Sequence, residues 1–227
     1  MKISEIAALA GVSSAAVSRY LNGGSISEEK KQLIKKVIEE TGYVPNVAAR
    51  SLRQQRSNSI GVIVPKINSD SVSNLLEGAS SVLSKSGYLT IFANAENDKK
   101  QEIDYLKMMQ EVKLAGIILM GTVLTPAHIS FFKESEIPIV ICGQNHSSVS
   151  CIYHDDLHAT CEITRHIIGK GRRKLAYVGA VEADVSVGLN RRLGVEKAMQ
   201  EAGMSPDQLV RTQVFFTVDE GDRKSVV

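Results

Sequence analysis

The stretch AGVSSAAVSRYLNGG, Ala10–Gly24, decides how the first part of the chain is read. Val17, Tyr20 and Leu21 recur at helical spacing and form one apolar face. The opposite face carries Ser14, Ala15, Ser18, Arg19 and Asn22. A solvated helix face ordinarily carries Lys and Glu; this one is small, polar and singly cationic. Ser13 suits the N-cap. Before it, Ile3, Ile6, Ala7 and Ala10 mark a first helix that Gly11 can close. After the turn GGS, Ser27 is the expected cap of a third helix. Glu28 and Glu29 suit its positive end, Leu33, Ile34, Val37 and Ile38 are expected to face inward, and Gly42 and Pro45 stop it. Two short helices joined by a tight turn, with a third packed across them, make a helix-turn-helix. Small outward residues let a helix enter the major groove, where Ser and Arg bond phosphates and base edges. The helix pattern alone fits a small helical bundle with a polar face equally well.

Charge separates this segment from the rest. Residues 1–57 hold nine Lys/Arg against five Asp/Glu, whereas the remainder holds eighteen against twenty. A basic head on a mildly acidic body fits a polyanion-binding module joined to something else; accidental imbalance is the competing reading. Cys142, Cys151 and Cys161 form no CxxC and leave an odd count, which points to buried thiols in a reducing compartment. Met1 leads directly into a mixed-polarity helix pattern, so no secretory signal is expected. No apolar run is long enough for a membrane span, and a cytoplasmic protein with no membrane partner is expected.

The motif AxxAGVSxxxVSRxLN, from Ala7 to Asn22, is followed by GYxPNxxARSL, from Gly42 to Leu52. The combination closely resembles the DNA-binding headpiece of the lactose/galactose repressor (LacI/GalR) family. One departure stands out: the family usually caps its first helix with Thr, and Lys2 holds that place here, with Glu5 retained. A weaker helix start, or a late cap by Ser4, is expected. The resemblance assigns Ser14, Ala15 and Arg19 to base reading and Ser13 and Ser18 to phosphates, with Asn22 on the same face. Because Ser14 and Ala15 are small, Arg19 is expected to carry most direct readout. NVAARSLRQQR, Asn46–Arg56, resembles the family's hinge helix. By that resemblance Leu52 is the minor-groove wedge, Ala49 permits close approach, and Arg50 and Arg53 reach phosphates. A flexible basic linker when free and a helix when bound are both expected of this segment.

Beyond the SNS linker, IGVIVP (Ile60–Pro65) is a β-branched run fit for a buried parallel strand. Helix patterns at Val72–Lys85, Gln101–Glu111, Pro126–Glu134, Asp155–Gly169 and Arg191–Ala202 alternate with strand patterns. The strands are read at Leu89–Ala93, Gly116–Met120, Ile139–Cys142, Cys151–Tyr153, Leu175–Val178 and near Gln213–Thr217. Strict alternation predicts a doubly wound α/β body with a parallel sheet, whose ligands bind beyond the strands' carboxyl ends. The resemblance continues through KLAGIILMG, IPIV, HDD and GKGRRKLAYVGA to about Gly221. It implies the family's periplasmic-binding-protein-like, two-lobed core with an effector in the cleft.

The domains expected are therefore 1–45, a helix-turn-helix; 46–57, a hinge; 58–154, the first lobe; and 155–227, a partial second lobe. Ser69, Asp70, Ser71, Asn94, Asn97 and Ser186 are ligand candidates from their places at strand ends, with ordinary loop chemistry as the competing reading. Asp156 and Arg191 are added by similarity, with Arg191 opening an RxxG pattern. His154 and His158 flank two aspartates, but a second ligand pair at metal spacing is missing, so no metal is expected. No nucleophile elbow, GxGxxG, P-loop or HExxH occurs, leaving catalysis no motif and implying no cofactor.

The resemblance implies a repressor of carbohydrate-utilisation genes. It would bind a palindromic operator in double-stranded DNA as a homodimer when full length and answer to a sugar or phosphosugar. A sugar-binding protein, or a regulator governed by a protein corepressor, remains the alternative. The closing hexapeptide DRKSVV, Asp222–Val227, lies outside the resemblance and is expected to be foreign to it. The second lobe is then incomplete, its effector site weakened, and the helix at Arg191–Ala202 is expected to expose its apolar face.

Overall fold

The computed structural model describes residues 1–43 and 57–214. The chain divides into two compact units, Met1–Gln54 and Gln55–Val227. The first contains α1 (Ile3–Leu9), α2 (Ser14–Leu21) and α3 (Glu28–Thr41). Lys2 stands at the cap of α1, and an ammonium offers no acceptor to the helix N–H groups. Glu5 reaches back instead and accepts from the Lys2 N–H at 2.9 Å, half of a capping box. Ser4 lies inside the helix rather than capping it. At the other end, Val12 N–H bonds Ala7 C=O at 3.0 Å and Gly11 N–H bonds Ala8 C=O at 3.3 Å. That double closure is a Schellman motif, and it needs the left-handed φ of +64° that Gly11 supplies. Ser13 Oγ accepts from Ala16 N–H at 3.2 Å and starts α2. The same closure ends α2, with Gly24 N–H on Arg19 C=O at 2.8 Å across Gly23.

Ile6, Val17 and Ile34, one from each helix, are fully buried at the centre of this unit. Each contributes about 1.5–3 kcal/mol by leaving water. Leu33, expected inside, is 44% exposed. One residue turns the helix by roughly 100°, so the stripe runs through Ile34 and Val37, with Ile38 at its margin, and carries Leu33 past the contact. Ser27 stands at the cap of α3, but its hydroxyl accepts no helix N–H; Glu28 and Glu29 face the positive end alone.

The second unit opens with five parallel strands: β1 (Ser59–Val64), β2 (Leu89–Asn94), β3 (Gly116–Met120), β4 (Ile139–Cys142) and β5 (Ser150–Ile152). Their order is β2-β1-β3-β4-β5. Crossovers run through α4 (Asp70–Lys85), α5 (Lys99–Glu111) and α6 (Pro126–Glu134). On one face Ile63, Ile117, Leu119, Ile139 and Ile141 pack with Leu106 and Met109 of α5 and Phe131 and Phe132 of α6. On the other, Val62 and Val64 meet Val72, with Leu75 and Leu76 beside it on α4. The chain leaves β1 in one direction for β2 and returns to its other side for β3. That reversal leaves a crevice beyond the strands' carboxyl ends.

A second parallel pair, β6 (Ala176–Gly179) and β7 (Val210–Gln213), lies with α7 (Asp156–Gly169) and α8 (Arg191–Glu201). The last strand ends at Gln213, earlier than the sequence pattern places it; residues 215–217 of that pattern lie outside the described residues. The apolar face of α8 is not exposed. Val195, Ala198 and Met199 are buried, and Val195 and Met199 cluster with Ile168 of α7 and Leu209. Exposed apolar side chains fall instead on Val178 and Val210, on β6 and β7. Between β6 and α8 a π-helix, Val185–Asn190, departs from the alternating pattern. Such turns recur at functional sites.

Candidate DNA interface and ligand cleft

In the first unit Ser13, Ser14, Ala15, Arg19 and Asn22 are exposed, and Ser18 is half-buried. All but Ser13, the cap, lie on the face of α2 opposite Ala16 and Val17, which are buried. Three of the polar groups are partly engaged: Ser13 caps the helix, and Asn22 Nδ2 donates to Ser18 C=O at 2.7 Å and to Ser18 Oγ at 3.4 Å. Arg19 has no ion pair among the described residues. Its guanidinium stands on a face cleared of bulky side chains, the geometry a bidentate contact to guanine requires. Asn46, Ala49, Arg50, Leu52 and Arg53 lie outside the described residues.

In the second unit, a cavity of about 950 Å³ opens beyond the carboxyl ends of β1, β3 and β4. Small-molecule clefts span roughly 300–1,000 Å³. Its lining combines apolar residues, Val72, Leu75, Ile118, Met120, Val140 and Ile152, with polar ones. Five sequence candidates line it: Ser69, Ser71, Asn97, Asp156 and Arg191. Arg191 Nε donates to Asp156 Oδ1 at 2.7 Å, joining the first turns of α8 and α7. The carboxylate is nearly buried whereas the guanidinium is 43% exposed. Its Nη donors take no partner among the described residues, so the pair presents an oriented cation to the cavity.

Asp70, Asn94 and Ser186 do not line the cavity. Asp70 is the exposed first residue of α4. Asn94 Oδ1 accepts from Glu96 N–H at 3.4 Å. Ser186 is buried in the π-helix and donates to Gln144 Oε1 at 3.2 Å. Asp155 accepts from His158 N–H at 3.0 Å and caps α7.

Polar lining residues absent from the sequence candidates include Lys66, Thr122, Gln144 and Asp184. Gln144 follows β4 within two residues, a strand-end position as eligible as those after β1 and β2. Asp184, not the sequence candidate Ser186 in the same loop, lines the cavity. Its carboxyl is held above the usual carboxylate range, chiefly by burial and against the pull of Val187 N–H, Gln144 and the charges of Lys99 and Arg191. Cys142, also in the lining, has its thiol pushed up by burial and then by Cys151, which keeps it protonated and inert.

A buried polar network supports the rim at Thr122. Lys99 donates to Thr122 Oγ1 and pairs with Glu102 Oε1 at 3.4 Å. Glu102 Oε2 lies 3.0 Å from His128 Nε2, both residues fully buried. His128 Nδ1 accepts from Thr125 N–H at 3.2 Å, which fixes the proton on Nε2, where it is donated to Glu102. The chain of contacts ties α5 to the start of α6 and holds the β3–α6 loop in place.

Residues 2–46 match the bacterial regulatory proteins of the lacI family, and residues 57–215 match the periplasmic binding proteins and sugar binding domain of the LacI family. The chain belongs to the LacI family. It is 33% identical over 205 residues to the sucrose operon repressor of Staphylococcus xylosus, covering 90% of this chain and 64% of that protein. It is 32% identical over 195 residues to catabolite control protein A of the same organism, covering 82% and 59%. This LacI-family chain thus spans less than two thirds of the length of these relatives. Among solved structures, the lac repressor dimer bound to operator and the anti-inducer ONPF aligns with a TM-score of 0.85 at 18% identity, over 99% of this chain and 68% of that one. The regulator CelR in complex with cellobiose aligns at 0.62 and 23% identity, over 97% and 68%. At these identities the likeness is one of fold.

Proposed function

We propose that this LacI-family chain is a sequence-specific transcriptional regulator, a repressor of carbohydrate-utilisation genes acting in the cytoplasm rather than an enzyme. The observation that carries the reading is the face of α2: small exposed residues surround an unpaired Arg19, on a helix joined to its neighbour by a tight glycine turn. Arg19 reads a base, Ser14 and Ala15 allow the approach, and Ser13 and Ser18 contact phosphates. Asn46, Ala49, Arg50, Leu52 and Arg53 enter from the sequence alone, as a hinge that adds a minor-groove wedge. A palindromic operator implies two copies of the headpiece, hence a homodimer. The ligand is a sugar or phosphosugar in the cavity, oriented by Arg191 and Asp156 with Ser69, Ser71 and Asn97 at the rim. The names of the sucrose repressor and the cellobiose-bound regulator support a carbohydrate. Regulation then follows from unequal affinity of the ligand for two arrangements of the core. Selection from a pool of randomised duplexes tests the first half: the chain should enrich a two-fold symmetric sequence. Recovery of an unenriched pool, bound only in proportion to salt, would leave a non-specific polyanion binder.

A further inference from the structure

The cavity wall contains a carboxylate that is used on one side only. Asp184 is 2% exposed and yet lines the cavity. Its Oδ1 accepts from Gln144 Nε2 at 2.6 Å and from Val187 N–H at 3.2 Å. Oδ2 accepts nothing among the described residues, and it is not one of the sealed polar atoms left without a partner. A buried carboxylate oxygen with no donor is costly, by more than a neutral acceptor would be. Asp184 lines the cavity, so whatever fills the cavity, water or ligand, is in a position to supply that donor.

The residue is also a tie. Gln144 follows β4 of the five-stranded sheet, whereas Asp184 starts the π-helix beside the second sheet. Gln144 uses both ends of its amide across this gap, donating to Asp184 and accepting from Ser186 Oγ at 3.2 Å. All three residues are buried. The amide therefore fixes which oxygen of Asp184 is occupied and which is offered.

We propose that Asp184 is a ligand-contacting residue whose Oδ2 accepts a hydrogen bond from a hydroxyl of a polyhydroxylated ligand, while Gln144, through Oδ1, orients it and joins the two halves of the cleft. The proposal rests on the reading of the cavity as a carbohydrate site. It adds a contact from the π-helix, opposite the rim residues of the first sheet. Lys99 from α5 and Arg191 from α8 are the charges that act on the carboxylate, with Gln144 and Val187 N–H as its dipolar neighbours. Both cations favour the ionised acceptor, and burial opposes it.

Asp184→Asn separates the two roles. The side-chain oxygen keeps both bonds at Oδ1, and an amide donor replaces the free acceptor. Gln144→Leu does the reverse, breaking the tie and leaving the carboxylate. Calorimetric titrations with sucrose, cellobiose, ribose and glucose 6-phosphate, across a pH series, read the outcome. The wild-type chain should bind at least one probe, more weakly as the pH falls and Asp184 takes up a proton. Asp184→Asn should bind that probe roughly ten- to a hundredfold more weakly, the range for a hydrogen bond to a charged group, and with no such pH dependence. Its unliganded melting temperature should be equal or higher. Gln144→Leu should lower the melting temperature and weaken binding less. Wild-type-like affinity in Asp184→Asn would overturn the proposal and leave the cleft reading intact. Failure of the wild-type chain to bind any probe would overturn both.

Discussion

Arg19 and Asp184, the two side chains proposed to meet a ligand, differ in exposure: one is exposed and the other buried. Arg19 is exposed and has no ion pair among the described residues, so it can meet a base edge without breaking an internal contact. Arg19→Ala should cost about 1–3 kcal/mol of specific binding and relax preference at one base position. Competition between matched and mismatched duplexes reads this directly. Equal losses on all sequences would make Arg19 a phosphate contact. Asp184 is buried, and its raised folded pKa carries a stability signature. A carboxyl bound more tightly to its proton in the folded state adds stability that is fully present below the ordinary aspartate value, about 4. That contribution is lost as the pH rises through the raised folded value. Asp184→Asn carries no such loss. Its melting temperature relative to the wild-type chain should therefore increase with pH across that window, and a constant difference would count against a buried, ionising Asp184.

The elements were legible where local chemistry sets them. Helix α6 and strands β3 and β4 match their sequence patterns residue for residue, because each is bounded by a Pro, a Gly or a turn cluster. Leu33 lies outside the core; hydrophobicity alone does not say which side of a four-residue stripe meets its neighbours. The π-helix had no signal: VSVGLN reads as loop or helix start, and its cap, Asp184, is bonded to Gln144 forty residues earlier in the chain. Distance in sequence hides the site for the same reason. Gln144 and Asp184, like Glu102 and His128, are polar residues whose partners lie far along the chain. The pair on α5 and α6 predicts its own loss. His128→Leu leaves Glu102 Oε2 buried without its donor and should destabilise the second unit by about 3–5 kcal/mol in denaturant unfolding. A cost within experimental error would mean that Lys99 alone satisfies the carboxylate. A different contact governs α7 and α8. A Cβ on Gly194 would overlap the Leu157 carbonyl oxygen and Thr160 Oγ1, so the two helices meet backbone to backbone there. Gly194→Ala should cost about 1–3 kcal/mol by overpacking and shift Arg191, three residues away on the same helix, within the cleft.

At the scale of the whole molecule, one chain forms two compact units, the first proposed to read DNA and the second to hold a carbohydrate. Coupling requires that the ligand distinguish two arrangements of the core, since a ligand with equal affinity for both shifts nothing. Arg191 is the residue through which that distinction is most exposed to test. Arg191→Ala removes the oriented cation from the cavity and unpairs Asp156, and both residues belong to the second unit. It should abolish the response of DNA binding to sugar while leaving affinity for the selected duplex unchanged, as read by a mobility shift with and without sucrose. An unaltered response at the same sugar concentration would move the ligand site elsewhere. The central claim is more basic: the chain recognises a DNA sequence. Fluorescence anisotropy titrations at one fixed salt concentration, with the palindrome enriched from the randomised pool and a scrambled duplex of equal composition, test it most directly. The account predicts binding to the palindrome at least roughly a thousandfold tighter, with the gap narrowed by Arg19→Ala. Coincident curves for the two duplexes would contradict it.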